Sequence, residues 1–415
     1  MSWAVSRPAD REGGTAVITA FRAENFKGLR DFRIEIPTPL AILAGANGSG
    51  KTSVCEAIVF ALHLADERPA NVVNEWFGRD DDLLLNLWDR RKRVRFAVEG
   101  DFAANGSGPV HRLRWEIEIA KRRGWGVAME RACVLTDDPD HDVLRRKGRA
   151  IRVWNQRERR WIDEKKELPS YVSTIAPEQR EDYPELWALR QNLKGTFVPF
   201  LDPVALRSRS RDPRLEPTGR NFAGFLHSVR TRSSSRYNEI IRRLRTVFAD
   251  VQSVDTRRDR FGWTDVRVTR RVPGLDVAQS FRAWQVNDGL LRVAALLAIP
   301  AAREDLRLFC MEEPENGMHP KLLQQTIDIL REFGRHGIQV IVTTHSPVLL
   351  NWAKAEEVVV LRNQGSEGPT AHRLEDLPEA MRRLEARHMD IGDILYNLDD
   401  DRLFRRPASH GTGHT

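Results

Sequence analysis

The stretch Leu40-Ala-Ile-Leu-Ala-Gly-Ala-Asn-Gly-Ser-Gly-Lys-Thr-Ser53 decides the fold of this chain. Its first five residues form an apolar run typical of a buried strand, and the apolar run from Val54 to Leu64 is typical of a helix. Between the two runs, the residues match the phosphate-loop pattern G-x-x-x-x-G-K-[ST] in full, in the strand–loop–helix context that this pattern requires. A Gly-rich turn that binds no nucleotide is the alternative, but the number of matched positions argues against it.

The side chains of this loop are suited to a nucleotide. Glycines allow backbone N–H groups to turn inward around phosphate oxygens, and the helix N-terminus adds the positive end of its dipole. Lys51 would reach the β- and γ-phosphates, and the Thr52 hydroxyl would bind Mg²⁺. The predicted nucleotide-binding residues of the loop are Asn47, Gly48, Ser49, Gly50, Lys51, Thr52 and Ser53.

A second apolar run, Leu306 to Met311, ends in two acids, Glu312 and Glu313. Buried carboxylates are costly unless a metal or hydrogen bonds compensate them. We therefore predict that Glu312 helps to position Mg²⁺ and that Glu313 is the general base, or orients the water that attacks the γ-phosphate. An exposed pair that caps a helix is the alternative, and Pro314 argues against it because it follows at once.

A third apolar run, Gln339 to Thr343, is followed by Thr-His-Ser-Pro347. His345 stands just past the end of this predicted strand, where a sensor of the γ-phosphate is needed. A structural histidine is the alternative, but the two other motifs favour the functional interpretation. The predicted catalytic residues are therefore Lys51, Glu313 and His345.

Length, cysteine content and hydropathy limit the class of protein. The 415 residues suffice for two or three subdomains, and no apolar run approaches the roughly 18 residues that a membrane span needs. Three widely spaced cysteines form no C-x-x-C pair, which predicts neither disulfides nor a zinc site. We expect a cytoplasmic protein with no membrane partner, and disordered ends at 1–16 and 405–415.

The formal charge of +7 is unevenly distributed. Between His141 and Ser280 there are 30 Lys and Arg against 18 Asp and Glu, a balance of +12, so the remainder carries 7 − 12 = −5. A basic middle predicts contact with a polyanion such as DNA or RNA, through the arginines of 207–214 and 230–260. A solvated surface, or one that faces an acidic protein, explains the same charges equally well.

The order of predicted elements suggests three parts between the two ends. An N-terminal lobe, 17–135, would contain the phosphate loop and an antiparallel β subdomain with a hairpin formed by 94–102 and 111–119. An inserted region that is helical and basic would follow at 136–278. Alternating strands and helices predict a mostly parallel α/β sheet in a C-terminal lobe, 279–404.

Together, the phosphate loop, Glu312-Glu-Pro-Glu-Asn-Gly-Met-His-Pro320 and Thr343-Thr-His-Ser-Pro347 resemble the ABC-type AAA ATPases related to the RecF, SMC and overcoming-lysogenization-defect (OLD) proteins. The resemblance covers Val17 to about Leu64 and about Gln279 to Leu361, and it is weak between them. It implies an α/β fold: an ABC-ATPase head with a mixed sheet and P-loop core, an antiparallel β subdomain and an inserted helical, basic subdomain. It also implies Mg²⁺-dependent hydrolysis of ATP, with ATP and Mg²⁺ as the cofactors.

The same family has a signature, typically Ser-[Asp/Gly]-Gly, which contacts the γ-phosphate of ATP on the opposite subunit. The matching residues here are Asn287, Asp288 and Gly289, with asparagine in place of serine. Asparagine can still donate a hydrogen bond to phosphate but is larger, which bears on the rate of hydrolysis more than on nucleotide binding. By resemblance, two subunits sandwich two ATP molecules, so we expect a homodimer or a higher homo-oligomer.

Three biological roles compete. The first is a sensor and regulator of a separate effector, a nuclease or toxin, as in anti-phage defence systems of the Septu, PARIS or retron-associated kind. The second is a RecF-like, DNA-binding ATPase of repair or recombination. The third is a self-contained OLD-like nuclease, but its nuclease domain needs more than the 70 residues that follow His345, and Asp399-Asp-Asp401 is better explained as a solvated run.

A transporter subunit is a fourth class. Such subunits usually have a Leu-Ser-Gly-Gly-Gln signature and a shorter distance from phosphate loop to signature. Here the 235 residues from Thr52 to Asn287 instead suit a family with a large insertion.

Overall fold

The computed structural model describes residues 17–37, 39–89, 91–103, 109–136, 141–163, 173, 182–302, 306–386 and 389–397. The predicted disordered ends and the acidic run 399–401 lie outside these residues. The chain divides into two compact units. The first unit comprises Met1–Lys27 and Phe60–Lys194, and the second comprises Gly28–Val59 and Gly195–Thr415.

The described residues contain seventeen strands and eleven α-helices. The strands are β1 (Val17–Phe26), β2 (Leu29–Glu35), β3 (Leu40–Ala44), β4 (Arg93–Ala103), β5 (Val110–Lys121), β6 (Trp125–Val134), β7 (His141–Lys147), β8 (Ala150–Asn155), β9 (Arg160–Asp163), β10 (Thr196–Phe197), β11 (Val251–Arg258), β12 (Thr264–Arg270), β13 (Gln279–Arg282), β14 (Leu308–Glu312), β15 (Gln339–Thr344), β16 (Val358–Asn363) and β17 (Pro369–Arg373). The helices are α1 (Lys51–Leu64), α2 (Pro69–Phe77), α3 (Pro184–Leu193), α4 (Pro203–Leu206), α5 (Phe222–Arg232), α6 (Ser234–Val247), α7 (Asp288–Ala302), α8 (Pro320–Phe333), α9 (Pro347–Leu350), α10 (Pro378–Glu385) and α11 (Ile391–Asn397).

The first unit is built on an antiparallel sheet in which its strands follow the order β1-β4-β5-β6-β7-β8-β9. The predicted hairpin is confirmed, because β4 and β5 pair with Val98 opposite Trp115. Alternate residues of these strands are buried, as expected of a sheet with one face on a core. Phe60 of α1 lies 5.8 Å from the Phe96 ring and 5.5 Å from the Phe26 ring, so aromatic packing anchors the C-terminal half of α1 in this unit.

The second unit contains the six-stranded sheet that carries the predicted motifs, in the order β10-β14-β15-β3-β16-β17. The first five strands are mutually parallel, and β17 pairs antiparallel with β16. All five residues of β3 and all six of β15 are buried, as is usual for central parallel strands. The mixed α/β sheet predicted from the alternation of elements is confirmed.

A second, three-stranded antiparallel sheet, β11-β12-β13, also belongs to the second unit. Helix α6 has one buried face, formed by Tyr237, Ile240, Ile241 and Leu244, as its periodicity predicts. The segment 136–278 therefore contains strands as well as helices. The two compact units are separated at Lys194, inside this segment, while the three-part domain division remains a prediction.

Within the described residues, no helix is both long enough and apolar enough to cross a lipid bilayer.

Candidate functional site

The three sequence motifs of the second unit meet at one edge of its six-stranded sheet. Strand β15 lies between β14 and β3, with Thr343 opposite Glu312 and Thr344 opposite Ala44. Because these strands are parallel, their carboxyl ends point the same way. The phosphate loop, the two glutamates and the His345 loop therefore follow three adjacent strand ends, a place where α/β proteins bind ligands.

Glycines are required at specific points of the phosphate loop. A Cβ on Gly45 would lie 2.5 Å from the Leu361 carbonyl oxygen, which is closer than the packing permits. Gly48 and Gly50 have φ values of +78° and +96°, which side chains disfavour. Asn363 is the last residue of β16, and its side-chain Nδ2 donates to the Gly48 carbonyl at 2.9 Å. This hydrogen bond holds the loop against the sheet.

Lys51, the first residue of α1, is 6% exposed. Its Nζ donates to the carbonyl oxygens of Gly45 and Ala46, at 2.8 and 3.0 Å. Burial lowers the pKa of Lys51 from its ordinary value, and the charges of Glu313 and Glu315 partly oppose that shift. The ammonium is thus held inside the loop, where the predicted phosphates would lie.

Ser49 contributes a buried hydroxyl to the loop. The residue is 3% exposed, and its Oγ has no hydrogen-bond partner among the residues that the structure describes. A buried hydroxyl without a partner costs free energy, and such groups are rare in native proteins. A phosphate oxygen is the kind of acceptor that would satisfy it.

Thr52 and Glu312 bring together the two groups predicted to bind Mg²⁺. The Thr52 Oγ1 donates to Glu312 Oε2 at 3.4 Å. A hydroxyl and a carboxylate are oxygen ligands of the type that Mg²⁺ prefers. No cluster of three or more His, Cys, Asp or Glu side chains that could hold a metal occurs in the described part of the chain. The pair therefore fits a metal that takes most of its ligands from substrate phosphates and water.

Glu313 and His345, the predicted base and sensor, are in direct contact. His345 Nδ1 lies 3.0 Å from Glu313 Oε1, and the amide of Asn316 donates to Glu313 Oε2 at 2.8 Å. Glu313 has a φ of +42°, unusual for a residue with a side chain, and its N–H donates to the Thr343 carbonyl at 2.9 Å. Such backbone strain clusters at functional sites, and here it directs the carboxylate towards His345.

Glu315 is a residue of this site that the sequence analysis did not single out. Its Oε1 accepts hydrogen bonds from Thr344 Oγ1 at 2.6 Å and from the His345 N–H at 3.3 Å. It therefore ties the loop after β14 to the loop after β15 and positions His345. The Glu-Glu-Pro-Glu motif contained this signal, but only the fold shows which loop the last glutamate holds.

The predicted signature residues lie at the start of α7. Asn287 Oδ1 accepts from the Leu290 N–H at 2.9 Å and caps the helix. A Cβ on Gly289 would lie 2.6 Å from a methyl carbon of Leu322, so this glycine permits close packing against α8. Asp288 forms an ion pair with Arg207, which also donates to the Val286 carbonyl at 2.8 Å.

These signature residues border an open cavity of about 660 Å³. Its described lining includes none of the predicted phosphate-loop residues and consists of Phe248, Asn287, Asp288, Gly289, Gly317, His319, Lys321 and Leu322. The N-termini of α7 and α8 both border it, together with the basic Lys321. The geometry therefore places the predicted signature in a recess separate from the strand-end site.

Comparison with protein-family models gives two matches. Residues 157–351 match a family described as "AAA domain, putative AbiEii toxin, Type IV TA system", and residues 21–125 match a second AAA-domain family. Over 52 residues, the chain is 44% identical to the DNA replication and repair protein RecF of Acholeplasma laidlawii (strain PG-8A). That match covers 12% of this chain and 15% of the RecF protein.

Two solved structures have a similar fold. One is an SMC head bound to the C-terminal winged-helix domain of ScpA, with a TM-score of 0.52 and 12% identity over 88% of this chain and 99% of the other. The second is the SMC head of Pyrococcus furiosus with an extended coiled coil, bound to the C-terminal domain of ScpA; its TM-score is 0.50, with 13% identity over 90% of this chain and 100% of the other. The fold is that of an SMC-like ATPase head. Parts of the chain are therefore similar in sequence to AAA-domain families and to RecF, whereas the similarity to SMC heads is one of fold.

Proposed function

We propose that this chain, an AAA-type ATPase head related to those of RecF and SMC proteins, binds and hydrolyses ATP. In the proposed cycle, two copies close head to tail around two ATP molecules and reopen after hydrolysis. The closed dimer would act in the cytoplasm as the sensor and regulator of a separate nuclease or toxin in anti-phage defence.

One observation carries the ATPase proposal, namely the convergence of three motifs at adjacent strand ends. Lys51, the Thr52–Glu312 pair and the Glu313–His345 pair all belong to the same sheet edge. A structural explanation for any one of them leaves the others unexplained. A phosphate-binding and hydrolysing site explains all of them, including the buried Ser49 hydroxyl that has no described partner.

The geometry supports a separate role for each of these residues during hydrolysis. The Lys51 ammonium and the loop N–H groups would bind the β- and γ-phosphate oxygens. The Glu313 carboxylate would take a proton from the attacking water while the new O–P bond forms and the bond to the β-phosphate oxygen breaks, leaving its electron pair on ADP. His345 would hold the carboxylate in position through the 3.0 Å contact at Oε1.

The Thr52 hydroxyl and the Glu312 carboxylate would hold Mg²⁺. When bound, the metal neutralises charge on the β- and γ-phosphates. The 3.4 Å contact between the two side chains supports this assignment, because one ion could be reached by both.

The recess at α7 supports the dimer part of the proposal. Two helix N-termini and Lys321 make it favourable for an anion, and Asn287, Asp288 and Gly289 border it. In a head-to-tail pair, this recess would face the γ-phosphate held by the partner. ATP would then favour the closed state, since only that state makes both sets of contacts.

A RecF-like role in repair is the second candidate, and the 52-residue match to RecF favours it. The regulator role is favoured by the family match over 157–351, whose description includes a toxin and a Type IV TA system. Purification of the Glu313→Gln protein from its native host with ATP distinguishes the two. A stoichiometric nuclease or toxin supports the regulator, and nucleic acid without a protein partner supports the RecF-like role.

The Glu313→Gln substitution tests the catalytic assignment. Glutamine keeps the shape of the side chain but is not a base, so hydrolysis should fall by about 100-fold or more while ATP binding is retained. Single-turnover hydrolysis and size-exclusion chromatography with light scattering measure both, and an ATP-bound dimer should accumulate.

Glu356→Gln is the matched control, because the side chain of this glutamate is 65% exposed and its carboxylate pairs with the exposed Lys354. It should hydrolyse ATP at the wild-type rate. Wild-type hydrolysis by Glu313→Gln would show that the base is elsewhere.

A further inference from the structure

A short segment, Arg207 to Arg211, links two features of the second unit. At one end, Arg207 donates to the Val286 carbonyl and pairs with Asp288 of the signature. At the other end, Arg209 pairs with Asp259, and Ser210 exchanges backbone hydrogen bonds of 3.1 and 2.9 Å with Thr264. The segment therefore connects the signature to the β11–β12 hairpin. We define the hairpin tip as residues 257–263.

The hairpin tip is exposed, aromatic and basic. The Phe261 side chain is 62% exposed and that of Trp263 is 39% exposed. The Arg211 guanidinium lies 4.6 Å from the Trp263 ring centroid, and that of Arg260 lies 4.7 Å from the Phe261 ring centroid. The tip and residues 207–214 together hold seven arginines and two aspartates. Arginines beside exposed aromatic rings are cation–π arrangements of the kind that surfaces for single-stranded nucleic acid use.

The tip is also held in a fixed shape. Asp259 Oδ1 accepts the N–H groups of Phe261 and Trp263, both at 2.9 Å, while its other oxygen pairs with Arg209. The Trp263 carbonyl accepts from the Asp259 N–H at 2.8 Å. A loop fixed in this way loses little entropy when a ligand binds to its exposed rings. The carboxylate of Asp259 is thus used within the turn and by Arg209, and the net charge of the tip and residues 207–214 remains positive.

We propose that the hairpin tip and the Arg207–Arg211 segment form a binding surface for single-stranded nucleic acid. Arginines bind the phosphates of any nucleic acid, but rings stack only on bases whose faces are free. Duplex DNA hides those faces, so the exposed rings of Phe261 and Trp263 favour a single strand. Trp284, which is 67% exposed and precedes Asn287 by three residues, is a further exposed ring of the second unit.

The position of this surface implies that binding of a strand changes the rate of ATP turnover. The Arg207–Arg211 segment contacts both the tip and the signature loop, so a strand that displaces the tip as a rigid unit also acts on Asp288. This coupling rests on the proposed ATPase function, whereas binding of the strand does not. Binding is therefore measured in the absence of nucleotide.

The test is fluorescence anisotropy with a labelled oligo(dT) of about 20 nucleotides, longer than the ~4–16 nucleotides that single-strand sites cover. The intact protein should bind it with an affinity that falls as salt rises, and should bind a duplex of equal length more weakly. Binding to neither at low salt overturns the proposal, and so does preference for the duplex. Binding of a polyglutamate peptide in competition with oligo(dT) at equal affinity also overturns it, because it identifies an acidic protein surface as the partner.

Two substitutions locate the surface. Phe261→Ala should weaken oligo(dT) binding at least fivefold, the lower end of what one stacked base contributes. Arg260→Glu should weaken it and reduce the slope of log K against log salt by about 0.7 for each lost phosphate contact. The matched controls are Phe200→Ala and Arg335→Glu, with side chains that are 72% and 82% exposed elsewhere in the second unit. Equal loss in a control and its partner variant overturns the placement of the surface.

The coupling has its own measurement. Saturating oligo(dT) should change wild-type ATP turnover at least twofold. Arg207→Ala, measured at an oligo(dT) concentration that saturates this variant, should lose that response because the link to Asp288 is gone. A rate of ATP turnover that does not change when oligo(dT) is bound overturns the coupling. Turnover that is absent with and without oligonucleotide, despite oligo(dT) binding, instead contradicts the proposed ATPase function.

Discussion

Asn287 is predicted to occupy the serine position of the family signature, and its side chain caps α7 through the Leu290 N–H. Serine and asparagine are about equally good at such a position, and alanine is not. Asn287→Ala should therefore lower the free energy of unfolding by about 1 kcal/mol. Asn287→Ser should leave the free energy of unfolding within a few tenths of a kcal/mol of the wild-type value. Chemical denaturation of the three proteins measures this directly.

The same pair of variants tests the signature assignment. If the predicted signature assignment is right, Asn287→Ser introduces the side chain that the signature typically carries and should retain or raise the rate of ATP hydrolysis. Asn287→Ala should lower it. If both variants match the wild type in stability and in turnover, Asn287 neither caps α7 nor contacts nucleotide.

Individual residues divide into those that a motif reveals and those that only the fold reveals. Lys51, Glu313 and His345 stand out because their sequence neighbours match a pattern, and the structure brings them to one sheet edge. Glu315 and Arg207 match no separate pattern. Glu315 contacts Thr344, 29 residues away, and Arg207 contacts Asp288, 81 residues away. Contacts over such distances cannot be predicted from a single sequence.

At the scale of elements, the strands with apolar runs and the alternating β4–β5 hairpin were predictable, but one sheet of alternating strands was not found. Strands β3, β14 and β15 appear in the sequence as apolar runs because both their faces are buried. The sheet β11-β12-β13 was missed. In β12 the buried residues Thr264, Val266 and Val268 alternate with polar or charged ones, which is the pattern of a half-buried strand. The signal was therefore present, but the many arginines around it were interpreted as part of a helical, basic region. Pairing with β11 and β13 identifies the strand in the structure.

Tyr237 connects α6 to β11 in this region. Its hydroxyl donates to the Val254 carbonyl, and burial, with the charge of Asp255 adding to it, raises the pKa of Tyr237 to about 12. In the unfolded chain this pKa is about 10, so between the two values the unfolded state binds fewer protons than the folded state. Stability conferred by the neutral phenol is therefore present below pH 10 and is lost as the pH rises through about 12.

A comparison of the wild type with Tyr237→Phe tests this linkage. The difference of about two units between the pKa of Tyr237 in the folded and unfolded states corresponds to about 2.7 kcal/mol of stability. At neutral pH the variant should be less stable by about 1 kcal/mol, because it lacks the hydrogen bond. Urea unfolding in the alkaline range above pH 10 should show this difference shrinking. A difference that stays constant with pH would mean that the phenol titrates alike in both states.

For the whole molecule, the fold class was predictable because each half of the chain contains motifs with strict structural contexts. Strand, glycine-rich loop and helix at Leu40 to Leu64 require an α/β core, and the later apolar runs supply its parallel partners. The order of strands was beyond sequence reasoning. Strand β3 lies between β15 and β16, which follow it by about three hundred residues, and only tertiary packing sets that register.

The division into two compact units also follows from packing rather than from sequence order. Helix α1 contributes its start to the second unit and its continuation from Phe60 to the first. Since the helix is continuous in sequence, composition gives no sign of the change. The same applies to Lys194 and Gly195, where no proline- or serine-rich linker marks the boundary.

We propose that the edge formed by β3, β14 and β15 is an ATP site built around Lys51. The most direct test is calorimetric titration of ATP with Mg²⁺ into the wild type and into Lys51→Ala, with Lys354→Ala as a control for the loss of a lysine that is 61% exposed. The wild type and the control should bind ATP with equal affinity, and Lys51→Ala should bind it at least a hundredfold more weakly or not at all, since a buried charge-assisted contact to phosphate is lost. Equal affinity in all three proteins would contradict the site assignment and the account of function that depends on it.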